Sequence, residues 1–282
     1  MSYKWITAKG VECSPRHTNC QDSVTTKTYG PIVCSCVSDG AGSSILSELG
    51  SKALTEGMCD YFCRSFCSLY ETATRDIEYF KSIILGKAEI ILRAVQKTNQ
   101  CELHDLSATL IIFASDGKKA VWFHVGDGVI ISKNNEEFAV ISAPVNGEYS
   151  NETVFVTSRY AMELSKAGFF SLEKRNQYSF LLMTDGPEVL FYSRKNNSVI
   201  SRPIISYIEQ IISTNKKAGQ GDRLLQYLLH ERCRKYSADD LSISFLFRIS
   251  VKLQIRKKPH TKRAIVKNYY GRKQRRQPYK NL

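Results

Sequence analysis

Four separate stretches of this 282-residue chain place an aspartate where a strand is expected to begin or end. Residues 33–38 are short, apolar and partly β-branched, which reads as a buried strand. That run meets Asp39-Gly40-Ala41-Gly42 before a helical pattern starts at Ser44. Phe180-Leu181-Leu182-Met183-Thr184 runs into Asp185-Gly186, Asp239-Asp240 leads into Leu241 to Phe247, and Asp22 follows Cys20-Gln21. Any one of these acids alone is an ordinary turn or cap carboxylate. Acids at the edges of strands far apart in sequence can instead converge on a hard cation that prefers oxygen ligands. The missing side chain at Gly40 lets the backbone come close and leaves its carbonyl able to ligate as well.

The elements that must position these acids follow from periodicity. Strands are expected at residues 6–8, 22–28, 33–38 and 108–114, with Asp116-Gly117-Lys118 as a hairpin turn into 120–125. Further strands are expected at 129–132, 138–142, 153–157, 179–184 and 241–249. Two long amphipathic helices are expected in succession, from Ser44 to about Tyr70 and from about Arg75 to Lys97. Gly50 and Gly57 weaken the first of them. Two more helices are expected at 204–212 and 222–233. Runs of strands and runs of helices, rather than strict alternation, indicate an α+β fold.

Composition bounds the rest. A hydrophobic content of 43% supports a sizeable core and argues against general disorder. No stretch is apolar enough to span a membrane, and Met1-Ser2-Tyr3-Lys4-Trp5 lacks a signal peptide's apolar segment, so a cytoplasmic location is expected. Nine cysteines in such a chain are expected as buried free thiols rather than disulfides, with Cys59, Cys63 and Cys67 forming one helix stripe. The formal charge is +13, yet residues 251–282 hold twelve of the 40 basic residues and none of the 27 acidic ones. The body, 1–250, is thus nearly neutral, and 251–282 reads as a flexible basic tail that could bind nucleic acid or another polyanion.

Six motifs in order carry a family resemblance: Asn19-Cys20-Gln21-Asp22-Ser23, Val37-Ser38-Asp39-Gly40-Ala41-Gly42, Ser107-Ala108-Thr109-Leu110, Val125-Gly126-Asp127-Gly128, Leu182-Met183-Thr184-Asp185-Gly186 and Ala238-Asp239-Asp240-Leu241-Ser242. Over about residues 10–249 the chain resembles the metal-dependent protein phosphatases of the PP2C (PPM) type, in their compact bacterial-style branch. The resemblance implies a four-layer αββα sandwich, two antiparallel sheets flanked by helix pairs. It implies a serine/threonine protein phosphatase with two Mn²⁺ or Mg²⁺ ions and a phosphoprotein substrate, whose phosphomonoester is attacked directly by a metal-bridging hydroxide.

Roles carry over by position. Asp39 would bridge both ions, Asp185 and Asp239 would hold one, the Gly40 carbonyl would sit on the other, and Asp22 would orient its waters. Asp39, Asp185 and Asp239 are thus the expected catalytic set, with Asp239 preferred over Asp240 by its spacing from Leu241-Ser242. Asp127 matches an acid that helps hold a third ion, although its usual partner is replaced by Val189, with Glu188 nearest. Where relatives often carry a phosphate-binding arginine stands His17, with Arg16 beside it, and Arg16 offers the better fork for a dianion. Gln21 replaces a common acid, and Ala41 stands where some relatives have a histidine. The competing readings are a catalytically weak or inactive phosphoprotein-binding module and a nucleic-acid-associated protein acting through its tail. Retention of Asp22, Asp39, Asp185 and Asp239 weighs against the former.

Overall fold

The computed structural model describes residues 2–16, 19–145, 153–214 and 219–251. In chain order these are β1 (Ser2–Glu12), β2 (Ser23–Tyr29), β3 (Ile32–Ser38), α1 (Ser47–Arg75), α2 (Ile77–Asn99), β4 (Leu110–Ser115), β5 (Lys119–Val125), β6 (Val129–Asn134) and β7 (Glu137–Ser142). There follow α3 (Ala161–Leu164), β8 (Lys166–Ser171), β9 (Tyr178–Met183), α4 (Asp185–Phe191), the small hairpin β10 (Tyr192–Ser193) and β11 (Ser198–Val199), α5 (Arg202–Thr214), α6 (Gln220–Leu228) and β12 (Leu241–Val251). One antiparallel sheet runs β1-β12-β9-β6-β7 and the other β2-β3-β4-β5-β8.

Side-chain alternation along β3 explains the layers. Cys34 and Cys36 point to one face and join Leu54, Met58 and Phe62 of α1 and Phe80 and Ile84 of α2. Val33 and Val37 point to the other face, into a core shared with Phe180 and Leu182 of β9 and Leu246 of β12. Phe113 and Phe180 stack there with centroids 4.1 Å apart, and the Ser35 and Ser244 hydroxyls lie 2.6 Å apart across the sheets. On the outer face of the first sheet, Ile131, Leu181 and Phe245 pack against Ile205, Ile208 and Ile212 of α5 and Leu225 of α6. The order helix pair, sheet, sheet, helix pair is the expected α+β sandwich.

Several local expectations change. β1 extends to Glu12 because it pairs with β12 along its whole length, from Ser2 opposite Val251 to Glu12 opposite Leu241. Residues 153–157 are not a strand apart from a single bridge residue at Thr153. The edge strand pairing β5 is instead β8, from Lys119 opposite Ser171 to His124 opposite Lys166. Gly50 weakens nothing: a Cβ there would sit 2.1 Å from the Leu106 carbonyl oxygen, so its absence lets α1 approach the turn before β4.

The cysteines also need a correction. Cys13 and Cys20 are disulfide-paired, with Cα atoms 5.0 Å apart, because the loop between β1 and β2 doubles back on itself. Cys34, Cys36, Cys59, Cys63 and Cys233 are buried free thiols, whereas Cys67 is exposed. At about 100° per residue, eight residues turn Cys67 well away from the face that buries Cys59. No helix among the described residues is long and apolar enough to cross a membrane. His17 and residues 252–282, the basic tail, lie outside the described residues.

Candidate metal centre

Antiparallel register brings the acids together. In β2 and β3, Ser23 faces Ser38, which sets Asp22 beside Asp39 just beyond the paired ends. In β6 and β9, Val129 faces Met183, which sets Asp127 beside Asp185 in the same way. β12 also pairs with β9, Ile243 opposite Met183, so Asp239 and Asp240 lead into the same end of the sheet. The two sheets therefore present their acids along one shared edge. A direct link joins them: the Thr184 hydroxyl of one sheet donates to Asp22 Oδ2 of the other at 2.8 Å.

The turn carrying Asp39 is held by the Ser107-Ala108-Thr109 segment. The Asp39 N–H donates to Thr109 Oγ1 and the Thr109 N–H to the Asp39 carbonyl, both at 2.8 Å. Gly40 bridges to Ala108, and its N–H donates to the Gln21 carbonyl at 3.1 Å. A Cβ on Gly40 would meet that carbonyl oxygen at 2.9 Å, so the residue permits this close packing. Gln21, at the position of a common acid, donates its side-chain N–H to Ser47 Oγ at 2.9 Å.

Asp239 and Asp240 are used differently. Asp240 is buried, and its two oxygens accept the backbone N–H groups of Ser14 (2.6 Å) and Gln21 (2.7 Å), pinning both ends of the loop that carries Arg16. Asp239 is exposed and adds its negative charge to the field at Asp185. Arg16 is exposed on its turn, with its N–H donating to Ser14 Oγ at 3.1 Å. Glu188 is half-buried, with Oε1 accepting from Arg194 Nε at 2.5 Å, while Val189 is exposed.

Burial and like charge push the carboxyls up. Asp22 rises to about 7, mainly because it is buried, with hydrogen bonds from Asp39 and Thr184 working against the rise and the charge of Asp240 adding to it. Asp185 rises to about 8 through burial first and then the charges of Asp127, Asp239 and Asp22. Asp39 rises well above the usual carboxylate range through burial and then Asp22 and Asp185. Glu188 rises through burial, with Arg194 opposing.

A concentration of buried acids with few cationic partners suits a divalent ion. Among the described residues, Asp22 Oδ1, Asp127 Oδ1 and Glu188 Oε2 are buried without a hydrogen-bond partner, and each is a hard oxygen donor. Among the described residues no three His, Cys, Asp or Glu side chains already stand in a metal-holding cluster. The donor chemistry, all hard oxygens, fits Mn²⁺ or Mg²⁺. Periodicity gave no sign of Thr184, Thr109 or Arg194, whose roles depend on register and packing; the signals available were the place of Thr184 beside Asp185 and of Thr109 within the Ser107-Ala108-Thr109-Leu110 motif.

The fold and this acid-lined edge define an α+β sandwich with a candidate divalent-cation centre. A family model described as "Protein phosphatase 2C" matches residues 9–229, and the chain belongs to that family. No curated protein matches the chain in sequence. Among solved structures, the S. agalactiae serine/threonine phosphatase is similar at 12% identity and TM-score 0.55, covering 86% of this chain and 99% of its own. Stp1 from Staphylococcus aureus, a serine/threonine phosphatase, is similar at 15% identity and TM-score 0.58, covering 87% and 95%. The catalytic domain of the serine/threonine phosphatase PstP, in complex with 2 manganese ions, is similar at 13% identity and TM-score 0.57, covering 88% and 100%. At these identities the likeness concerns the fold.

Proposed function

We propose that this family member is a protein serine/threonine phosphatase that hydrolyses phosphomonoesters by direct attack of water, using Mn²⁺ or Mg²⁺. The observation that supports this best is the gathering of Asp22, Asp39, Asp127, Asp185 and Asp239 along one sheet edge by strand register, with buried oxygens on Asp22 and Asp127 that have no hydrogen-bond partner among the described residues. Asp39, Asp185, Asp239 and the Gly40 carbonyl would hold the ions, with Asp22 beside them; Asp127 with Glu188 is the candidate set for a third. Bound divalent cations supply Lewis-acid activation of water and neutralise phosphate charge.

The chain's own residues do the rest of the work. Thr109 fixes the Asp39 turn through two backbone contacts. Thr184 orients Asp22. Asp240 anchors the loop that carries Arg16, and of the two sequence candidates Arg16 and His17 we assign Arg16 to the substrate dianion because a guanidinium offers two parallel donors. No cysteine nucleophile is required.

Hydrolysis of p-nitrophenyl phosphate and of phosphoserine and phosphothreonine peptides by the purified chain, with Mn²⁺ and then with excess EDTA, tests this. We expect turnover that EDTA abolishes and that Mn²⁺ restores. Absence of hydrolysis at saturating Mn²⁺ would leave the inactive phosphoprotein-binding module as the better account. Residues 1–250 are proposed as the catalytic domain and 251–282 as a basic appendage that attracts polyanions. Salt-dependent DNA binding that a chain ending at Ser250 lacks would support that division.

A further inference from the structure

A groove of about 480 Å³ opens on the outer side of α5 and α6, beside the end of α4. Its floor is apolar, with Leu190, Ile204 and Leu224 among its lining residues. Three tyrosines line it while largely exposed: Tyr207 at 52%, Tyr227 at 57% and Tyr236 at 76%. These helices already bury Ile205, Ile208, Ile212 and Leu225 against the sheet, so the tyrosines belong to a second face that the fold does not use.

The groove's charge has one sign. Arg232 and Lys235 line it, and a neighbouring hollow that shares Tyr207 and Leu224 adds Arg223, while among the described residues neither is lined by an aspartate or glutamate. Of the acids around it, Glu188 pairs with Arg194, Glu209 with Lys133, Asp222 accepts from the Lys9 N–H, and Glu231, next to Arg232, lies 3.9 Å from His230. Aromatic and arginine side chains around an apolar floor are the residue types that carry binding energy at interfaces. The charge pattern calls for a negative occupant. The chain's own segment 251–282 has twelve basic residues and no acid, so it would be repelled.

The groove is also tied to the acid edge. Leu190 lies five residues beyond Asp185 on α4, about 7.5 Å along a helix at 1.5 Å per residue. Lys235 lies four residues before Asp239, and Arg234, the residue before Lys235, donates to the Asp239 carbonyl oxygen. An extended peptide advances about 3.3 Å per residue, so a few residues reach from one place to the other.

We propose that this groove docks an acidic segment with bulky apolar side chains that flanks the phosphorylated residue of the protein substrate. The proposal rests on the phosphatase reading and adds what kind of substrate it selects. The test uses the full-length chain and the variant Arg232→Glu with Lys235→Glu, both exposed positions outside the acid edge itself. Two phosphopeptides share one phosphorylated core and differ only in having acidic, leucine-containing flanks or neutral ones. Wild type should favour the acidic peptide by about tenfold in kcat/KM, chiefly through KM, a preference worth one decade of affinity. In the variant the ratio should fall to about one-to-one, with p-nitrophenyl phosphate hydrolysis unchanged.

Binding of a labelled, unphosphorylated acidic peptide, followed by fluorescence polarisation, separates the two claims. If neither phosphopeptide nor p-nitrophenyl phosphate is hydrolysed, the phosphatase reading fails, yet peptide binding lost on charge reversal would still place an acidic-peptide site here. An equal preference in wild type and variant, or peptide binding that charge reversal leaves intact, overturns the groove proposal. So does a wild-type dimer that the variant converts to a monomer in sedimentation, since the occupant would then be a second copy of the chain.

Discussion

Replacing Asp185 by Asn should stabilise the metal-free protein while destroying the site. Asp185 is raised from the ordinary 3.8 to about 8 by burial and by Asp127, Asp239 and Asp22. The folded state therefore holds this proton more tightly than the unfolded chain does. Its contribution to stability is fully present below about pH 3.8 and is lost as pH rises toward about 8. At about 1.4 kcal/mol per tenfold change in protonation, the complete loss has a ceiling of about 6 kcal/mol. Neighbouring acids absorb part of it by taking up protons in turn. Asp185 also opens α4, where its charge gains about 0.3–1 kcal/mol from the helix N-terminus. We expect Asp185→Asn to gain about 1–3 kcal/mol at pH 8 in EDTA, the ordinary size of a single-substitution effect, and less at pH 5. Urea unfolding at the two pH values measures this. Added Mn²⁺ should raise the Tm of wild type and leave the variant's nearly unmoved. A variant less stable than wild type in EDTA at pH 8, or one that Mn²⁺ stabilises equally, would refute the placement of an uncompensated charge cluster at this edge.

Three further outcomes are expected. Gly186→Ala places a Cβ 2.3 Å from the Asp240 carbonyl oxygen, so it should cost about 1–3 kcal/mol in urea unfolding and lower hydrolysis by shifting Asp185 from the β12 edge. His124 is buried, lies 2.7 Å from Ser142 Oγ, and is lowered to about 3 by burial first and then by Lys166; its stabilisation is present above about 6.5 and lost as pH falls toward 3. The stability difference between wild type and His124→Gln should therefore narrow by about 2 kcal/mol between pH 7 and pH 5, and a constant difference would contradict a neutral buried imidazole. Arg16→Ala should raise KM for a phosphopeptide by about tenfold without changing the Mn²⁺ concentration needed, and His17→Ala should do less; the reverse order would assign the phosphate to His17.

The chain sequence by itself determined the pieces. The apolar run ending in Asp39-Gly40-Ala41-Gly42 is a strand meeting a tight turn wherever it is placed, because buried β-branched residues and consecutive small residues have few other uses. The two long helices likewise followed from a period that only one buried face satisfies, with ends displaced by a few residues. The order of the six motifs carried the family. Tertiary structure alone decided how the pieces meet. That Asp22 faces Asp39 and Asp127 faces Asp185 depends on strand register, since a slip of one residue would turn every side chain to the opposite face. Spacing preferred Asp239 over Asp240 as a ligand but gave Asp240 no role of its own; only the approach of Ser14 and Gln21 gave it its anchoring role. The edge strand β8, the Cys13–Cys20 pair and the purpose of Gly50 were illegible for the same reason. Each depends on a neighbour distant in sequence or on how a loop turns back, and local periodicity carries neither.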